Sequence, residues 1–166
     1  RVEEARTLLV ALDEADLSGH RGTARLLISG ELASREGRSE SARMLLEQAW
    51  SQTEGDGHVG ILVGVQSARH LHRLGEVALA TDRLSASDPV AGPLRPRWLL
   101  AVAQLDLQQG RPQQARRRCD EALAHALEQG DRMRCAAAHL ALATLECAQG
   151  RFPRATEHAD RAIDLA

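Results

Sequence analysis

The histidines and cysteines of this chain are the residue types that most readily bind metal ions. Cys135 and His139 are four residues apart, which places them on one face of a helix, and His70 and His72 flank Leu71. A zinc site needs three or four converging ligands, and the sequence contains neither a CxxC nor an HExxH motif. Core packing explains both pairs better, so we predict no metal site and no cofactor.

Nucleophilic catalysis also lacks a recognisable motif. No GxSxG sequence and no Gly-rich phosphate loop opens a helix in this chain. All 21 basic residues are arginines, so a P-loop lysine, a Schiff-base lysine and a lysine general base are excluded within the sequence. We therefore predict that the chain has no catalytic residues and is not an enzyme.

One basic run, Arg116-Arg117-Arg118, is a candidate for nucleic-acid binding. No aromatic residues interleave it for base stacking, and Asp120 and Glu121 follow within ion-pairing distance on a helix. The net charge is −2, which gives no general attraction to nucleic acid or to an anionic membrane. We interpret the run as a solvated outer helix face and predict no nucleic-acid or membrane partner.

The composition favours helices. Hydrophobic residues make up 43% of the 166 residues, but aromatic residues only 2%, and sheets prefer aromatic and β-branched side chains. The three cysteines lie in helical patterns and are typical of reduced thiols, which predicts a cytoplasmic protein. The predicted fold class is all-α.

Internal repeats organise the chain. Four glycines, 35 to 40 residues apart, each end one helical pattern and precede another: Gly37, Gly75, Gly110 and Gly150. Alanine occurs five residues after each of these glycines: Ala42, Ala80, Ala115 and Ala155. We call this series the alanine ladder, and it extends back by one more repeat to Ala5. Seven residues before each glycine is a very small residue: Gly30, Ala68, Ala103 and Ala143. This spacing predicts antiparallel helical hairpins that bury their apolar stripes by stacking.

The spacing of these residues resembles the tetratricopeptide repeat family. The resemblance implies an α-α superhelix of about nine helices in one domain over 1–166, with a half repeat at 1–18 and full repeats at 19–56, 57–93, 94–130 and 131–166. Asp106 and Glu146 depart from the family pattern, because they occupy a position that is usually aromatic. The long, Ala- and Arg-rich units are similar to the repeat regions of large bacterial regulators of the LuxR type.

The resemblance also implies a partner-binding groove lined by the first helix of each repeat. The groove positions with polar or charged side chains that we predict to bind a partner are Arg35, Arg69, His72, Arg73, Arg97, Gln104 and Gln108. The groove positions include four arginines and a histidine but only one acid, Glu31, together with a line of aliphatic residues. This composition fits an acidic-hydrophobic peptide. The alternative is that these arginines only solvate an apolar wall.

Two functions remain open on the sequence. The chain is a protein- or peptide-binding scaffold, such as the sensory or regulatory arm of a bacterial transcriptional regulator or signalling ATPase. Alternatively, it is a structural segment that self-associates. Its repeat array opens on a lone second helix at 2–16 and ends without a polar cap, so we expect either a piece of a longer protein or a homo-oligomer.

Overall fold

The computed structural model describes residues 20–53 and 57–166. Within these ranges the chain forms eight α-helices and no strand, which confirms the all-α prediction. The half repeat at 1–18 and the first rung of the alanine ladder, Ala5, lie outside the described residues. The described part of the chain divides between two compact units, one ending at Ser87 and the other comprising Asp88–Ala166.

The first unit contains two helical hairpins. Its helices are α1 (His20–Arg35), α2 (Ser39–Thr53), α3 (Gly57–Arg73) and α4 (Val77–Ala86). Each helix packs against the next, and α1 also packs against α3, so the first helices of the two hairpins are neighbours.

The second unit repeats this arrangement. Its helices are α5 (Arg95–Gln108), α6 (Pro112–Glu128), α7 (Arg132–Ala148) and α8 (Phe152–Leu165). Helix α5 packs against α6 and α7, and α7 packs against α8. The first helices α5 and α7 are again neighbours, and the second helix α6 packs against both of them.

The hairpin turns depend on glycine in a left-handed conformation. Gly110 has a φ of 70°, which side chains other than glycine adopt at a cost. The Arg111 N–H donates to the Asp106 carbonyl at 2.8 Å, and the Gly110 N–H donates to the Leu107 carbonyl at 3.1 Å. This pair of bonds is a Schellman motif, which satisfies the last carbonyls of α5 and reverses the chain.

Small residues allow the two helices of a hairpin to approach closely, as the spacing predicts. A Cβ atom added at Gly30 would lie 2.8 Å from Leu46 Cγ on the partner helix. In the second unit Ala103 and Ala143 are 3% and 7% exposed, so a larger side chain there would have little free space. The alanine-ladder residues within the described ranges are also buried: Ala42, Ala80, Ala115 and Ala155.

Candidate functional site

Neighbouring helices α1 and α3 bring predicted groove residues together in the first unit. Arg35, the last residue of α1, pairs with Glu31 one turn earlier at 2.6 Å. Gln66 Nε2 of α3 donates to the second carboxylate oxygen of Glu31 at 3.2 Å. Arg73, the last residue of α3, donates from Nη2 to Ser34 Oγ of α1. We call these five residues the α1–α3 face.

Two of the five residues in this face carry exposed positive charge. Arg35 and Arg73 are exposed, while Glu31 is only partly so. Each arginine ends its helix, where a cation interacts favourably with the helix dipole. Guanidinium groups present up to five N–H donors, and the bonds to Glu31 and Ser34 leave some of them directed elsewhere. The face can therefore accept an anionic group from outside the chain.

His70 supports this face from the buried side. Its Nε2 lies 3.1 Å from the Ser39 carbonyl oxygen and its Nδ1 lies 3.0 Å from Ser34 Oγ. Burial, and next the charge of Arg73, lower the pKa of His70 from its ordinary value. The imidazole is therefore neutral at physiological pH and bonds through one N–H and one lone pair.

The other two predicted residues of α3 are less accessible. Arg69 is half-buried and makes an intramolecular polar or electrostatic contact. His72 is 9% exposed, its Nε2 is buried without a hydrogen-bond partner among the described residues, and burial lowers its pKa. Both lie on the helix that the repeat pattern selects, but with less surface available to a partner than Arg73.

In the second unit the predicted groove positions are mostly uncharged. Gln104 and Gln108 of α5 are exposed, while Arg97 is half-buried and makes an intramolecular polar or electrostatic contact. On the neighbouring helix α7, Leu140 is 60% exposed and Thr144 is exposed. Amide and aliphatic side chains in this arrangement can contact the backbone and apolar side chains of a peptide.

The interpretation of the basic run as a solvated face is wrong for two of its three arginines. Arg116 pairs with Glu146 of α7, whose side chain is 0% exposed. Arg118 Nε lies 2.6 Å from Asp106 Oδ2 of α5, whose side chain is 2% exposed. Only Arg117 is exposed without a described partner. The two arginines compensate buried carboxylates, so they stabilise the hairpins and are not available as a surface patch.

Each buried carboxylate has a second arginine across the Gly turn. Arg111 lies 2.9 Å from Asp106, and Arg151 pairs with Glu146. The two arginines of Glu146 lower the pKa of its carboxyl from 4.5 to about 2, against the opposing effect of burial. Sequence reasoning identified both acids as departures from the tetratricopeptide repeat pattern but missed the arginines with which they form ion pairs. The available signal was a repeated pattern, an acid four residues before a Gly-Arg pair.

His139 and Cys135 are buried in α7, as the core-packing interpretation predicts. His139 Nδ1 lies 3.1 Å from His158 Nδ1 of α8. Cys119 is also buried, and burial raises the pKa of its thiol to about 12. Among the described residues, no three His, Cys, Asp or Glu side chains cluster as they would around a metal ion. The same ranges contain no helix with the length and apolar character needed to span a bilayer.

Comparison with known proteins supports the repeat assignment. Residues 95–166 match the model of the family described as tetratricopeptide repeat. A search of curated protein sequences found no match.

Solved structures with the same fold are similar to the chain over nearly its full length. One is BtubC (BKLC) from P. vanneervenii, with a TM-score of 0.69 at 17% identity over 98% of this chain and 70% of that one. Another is the Podosopora anserina putative kinesin light chain, described as nearly identical TPR-like repeats, with a TM-score of 0.61 at 17% identity over 99% of this chain and 84% of that one.

A third similar structure is the MamA protein "MamA MSR-1 C2", with a TM-score of 0.58 at 17% identity over 99% of this chain and 91% of that one. Identities this low establish the fold and nothing about partners. The predicted tetratricopeptide-like fold is confirmed: residues 95–166 match the tetratricopeptide repeat family model, and the described residues form an all-helical fold similar to repeat structures of this type.

Proposed function

We propose that the chain is a scaffold that binds a protein or peptide, and that the α1–α3 face receives an acidic segment of that partner. The observation that carries this proposal is the exposure of Arg35 and Arg73 at the adjacent ends of two first helices. Arginine binds carboxylates through paired N–H donors, which gives direction as well as attraction. Glu31 offsets part of this positive charge, so the face selects acids without being strongly basic.

We propose separately that the second unit, taken by itself, contacts uncharged residues of a partner. Leu140 of α7 is exposed, as are Gln104 and Gln108 of the neighbouring helix α5, and no charged side chain is among the three. This surface suits the uncharged part of an acidic-hydrophobic peptide. Arg69, His72 and Arg97 stay in the proposed binding set, with smaller exposed areas than Arg35 and Arg73.

The wider biological setting is a further part of the proposal. We assign the scaffold to the sensory or regulatory arm of a bacterial transcriptional regulator or signalling ATPase, in which other domains carry catalysis and DNA binding. The Lys-free, Arg-rich composition supports a bacterial source, and three free cysteines suit the reducing cytoplasm. Two of the three arginines that sequence analysis considered for nucleic acid, Arg116 and Arg118, pair with buried carboxylates instead, which makes a nucleic-acid partner a weaker proposal than a protein.

A charge-matched comparison tests the proposed binding face. The probe is a fluorescein-labelled synthetic peptide of alternating Asp or Glu and Leu residues, titrated by anisotropy against the intact chain. Arg35→Gln with Arg73→Gln removes two charges from the face, and Arg117→Gln with Arg154→Gln removes two exposed charges elsewhere. Exposed ion pairs contribute up to about 1 kcal/mol each, so we expect about a tenfold loss for the first pair, largest at low salt.

The control pair should change affinity by less than about twofold, because neither of its arginines belongs to the two helices that form the face. Equal losses in both double variants would mean that the peptide responds only to overall charge. Undiminished binding by the Arg35/Arg73 variant would leave only the interpretation in which these arginines solvate the helix ends.

Self-association is a second candidate, and the exposed side of α8 favours it. Phe152 is 65% exposed and Ile163 is 72% exposed, and their spacing of eleven residues places them on one stripe of the helix. A dimer would cover this stripe. Sedimentation equilibrium of the chain and of Phe152→Ser distinguishes the cases, since a dimer through α8 must weaken in the variant, whereas a monomer would not respond.

A further inference from the structure

Arg73 is held by a chain of hydrogen bonds that begins at the start of α2. His70 bridges the Ser39 carbonyl oxygen, 3.1 Å from Nε2, and Ser34 Oγ, 3.0 Å from Nδ1. Ser34 Oγ in turn accepts from Arg73 Nη2. The four groups therefore connect the backbone of α2, the buried imidazole of α3 and the hydroxyl of α1 to a guanidinium that is exposed at the end of α3.

The chemistry of each group determines which atom donates and which accepts in every hydrogen bond of this series. A carbonyl oxygen only accepts, so His70 Nε2 carries the proton and donates to Ser39. The neutral imidazole then has a lone pair at Nδ1, which accepts from the Ser34 hydroxyl. With its proton directed at His70, the Ser34 oxygen turns its lone pairs toward Arg73, which can only donate.

We infer that Ser34 and His70 are positioning residues that hold Arg73 in the orientation in which it binds a partner's carboxylate. This inference rests on the proposed function of the α1–α3 face. A free arginine side chain at a helix end samples many rotamers, and ordering it on binding costs conformational entropy. The Ser34 bond orders the side chain before binding, so the partner does not meet this cost in full. In this role both residues act through Arg73 and do not themselves bind the carboxylate.

The experiment uses the same labelled acidic peptide together with a measurement on Arg73 itself. Ser34→Ala removes the hydroxyl, Ser34→Thr restores it, and Ser41→Ala is a matched control at an exposed serine of α2. In ¹⁵N-edited spectra, with the Arg73 signals assigned from Arg73→Gln, we expect slow guanidinium rotation in the parent and in Ser34→Thr, and fast rotation in Ser34→Ala. Peptide affinity should fall about two- to tenfold in Ser34→Ala and stay within about twofold in the other two variants.

Four outcomes would overturn the inference or separate it from the proposed function. Unchanged rotation of Arg73 in Ser34→Ala would show that the hydroxyl does not hold it. Faster rotation with unchanged affinity would show that ordering Arg73 does not aid binding. If the parent chain does not bind the peptide, the proposed function fails, and the spectra alone then report whether Ser34 orders Arg73. A matching fall in the urea midpoint of Ser34→Ala would instead assign the residue a purely structural role.

Discussion

The two arginines that hold Glu146 should be more important for stability than Glu146 itself. The Glu146 side chain is 0% exposed, whereas Arg116 and Arg151 are 35% and 40% exposed. If Glu146 is replaced by Leu, both guanidinium groups can still reach water, and an apolar side chain in a buried position is often nearly neutral. If both arginines are replaced by Gln, a fully buried carboxylate is left without a compensating charge.

The expected magnitudes follow from that asymmetry. Breaking a buried pair by removing one partner costs about 3–5 kcal/mol. The partial exposure of the arginines places the Arg116→Gln, Arg151→Gln double variant near the lower end, about 3 kcal/mol. Glu146→Leu should cost about 1 kcal/mol or less, and Arg117→Gln, an exposed neighbour with no described partner, within about 0.5 kcal/mol.

Urea unfolding measured by tryptophan fluorescence can report on the second unit alone. The chain has two tryptophans, so a Trp50→Phe background leaves Trp98, which is buried in α5, as the reporter. The free energy of unfolding is measured for the background and for each variant in it. A larger loss for Glu146→Leu than for the double arginine variant would refute the asymmetry, as would a double variant no less stable than Arg117→Gln.

The pH dependence checks the same reasoning. Hydrogen bonds and charges from Arg151 and Arg116 lower the pKa of Glu146 to about 2 from 4.5. Folding therefore favours the charged carboxylate, and its contribution is complete above pH of about 4.5 and lost as the pH falls toward about 2. The difference in unfolding free energy between the Trp50→Phe background and the double arginine variant should be largest near pH 7 and shrink by pH 3.

Two further predictions concern packing and thiol reactivity. Ala103→Leu should cost about 1–3 kcal/mol by overpacking, because Ala103 is 3% exposed in its hairpin; an unfolding free energy equal to that of the unsubstituted chain would mean that the assigned repeat register is wrong. Of the three cysteines, Cys147 is exposed while Cys119 and Cys135 are buried, so a disulfide reagent at pH 8 should label one thiol in the native chain and three in urea. Rapid labelling of Cys119, whose pKa is raised to about 12, would contradict the described packing.

Sequence reasoning predicted the helical hairpins because their determinants are local. A glycine that ends a helix, a small residue seven positions before it and an alanine five positions after it are all readable along the chain, and Gly75 and Gly110 indeed have φ values of 81° and 70°. The resemblance to tetratricopeptide repeats then pointed to the first helices as the side of a groove, and the structure places Arg35 and Arg73 on neighbouring first helices. The hairpin architecture therefore needed no knowledge of distant contacts.

The partners of the basic run could not be predicted in the same way, because they are distant in sequence. Arg116 and Glu146 are 30 residues apart, and Arg118 and Asp106 are 12 apart. Within its own helix the run had acids at Asp120 and Glu121, and a local interpretation therefore appeared sufficient; Arg116 does approach Asp120 at 3.8 Å. Choosing between near and far partners requires the packing of adjacent helices, which a single sequence does not specify.

The Gly turns explain how the fold tolerates acids where its pattern usually has an aromatic residue. In a Schellman motif the residue three positions before the cap commonly makes an apolar contact with the residue after the glycine. In the second unit these two positions hold Asp106 with Arg111 and Glu146 with Arg151, which make ion pairs instead. The backbone bonds of the turn are the same in both units, so the side-chain contact is free to vary.

The presence of buried acids in the second unit gives its arginines a different role from those of the first unit. Four of them, Arg111, Arg116, Arg118 and Arg151, compensate the two buried carboxylates of the second unit. Arg35 and Arg73 in the first unit contact only a partly exposed acid and a serine, and remain exposed. An arginine that compensates a buried charge is needed for the stability of the fold, because loss of the arginine leaves that charge unpaired. The loss of a guanidinium bonded to serine leaves no buried charge unpaired, which is why we propose the α1–α3 face, and not the denser basic run, as the place where a partner's carboxylate binds.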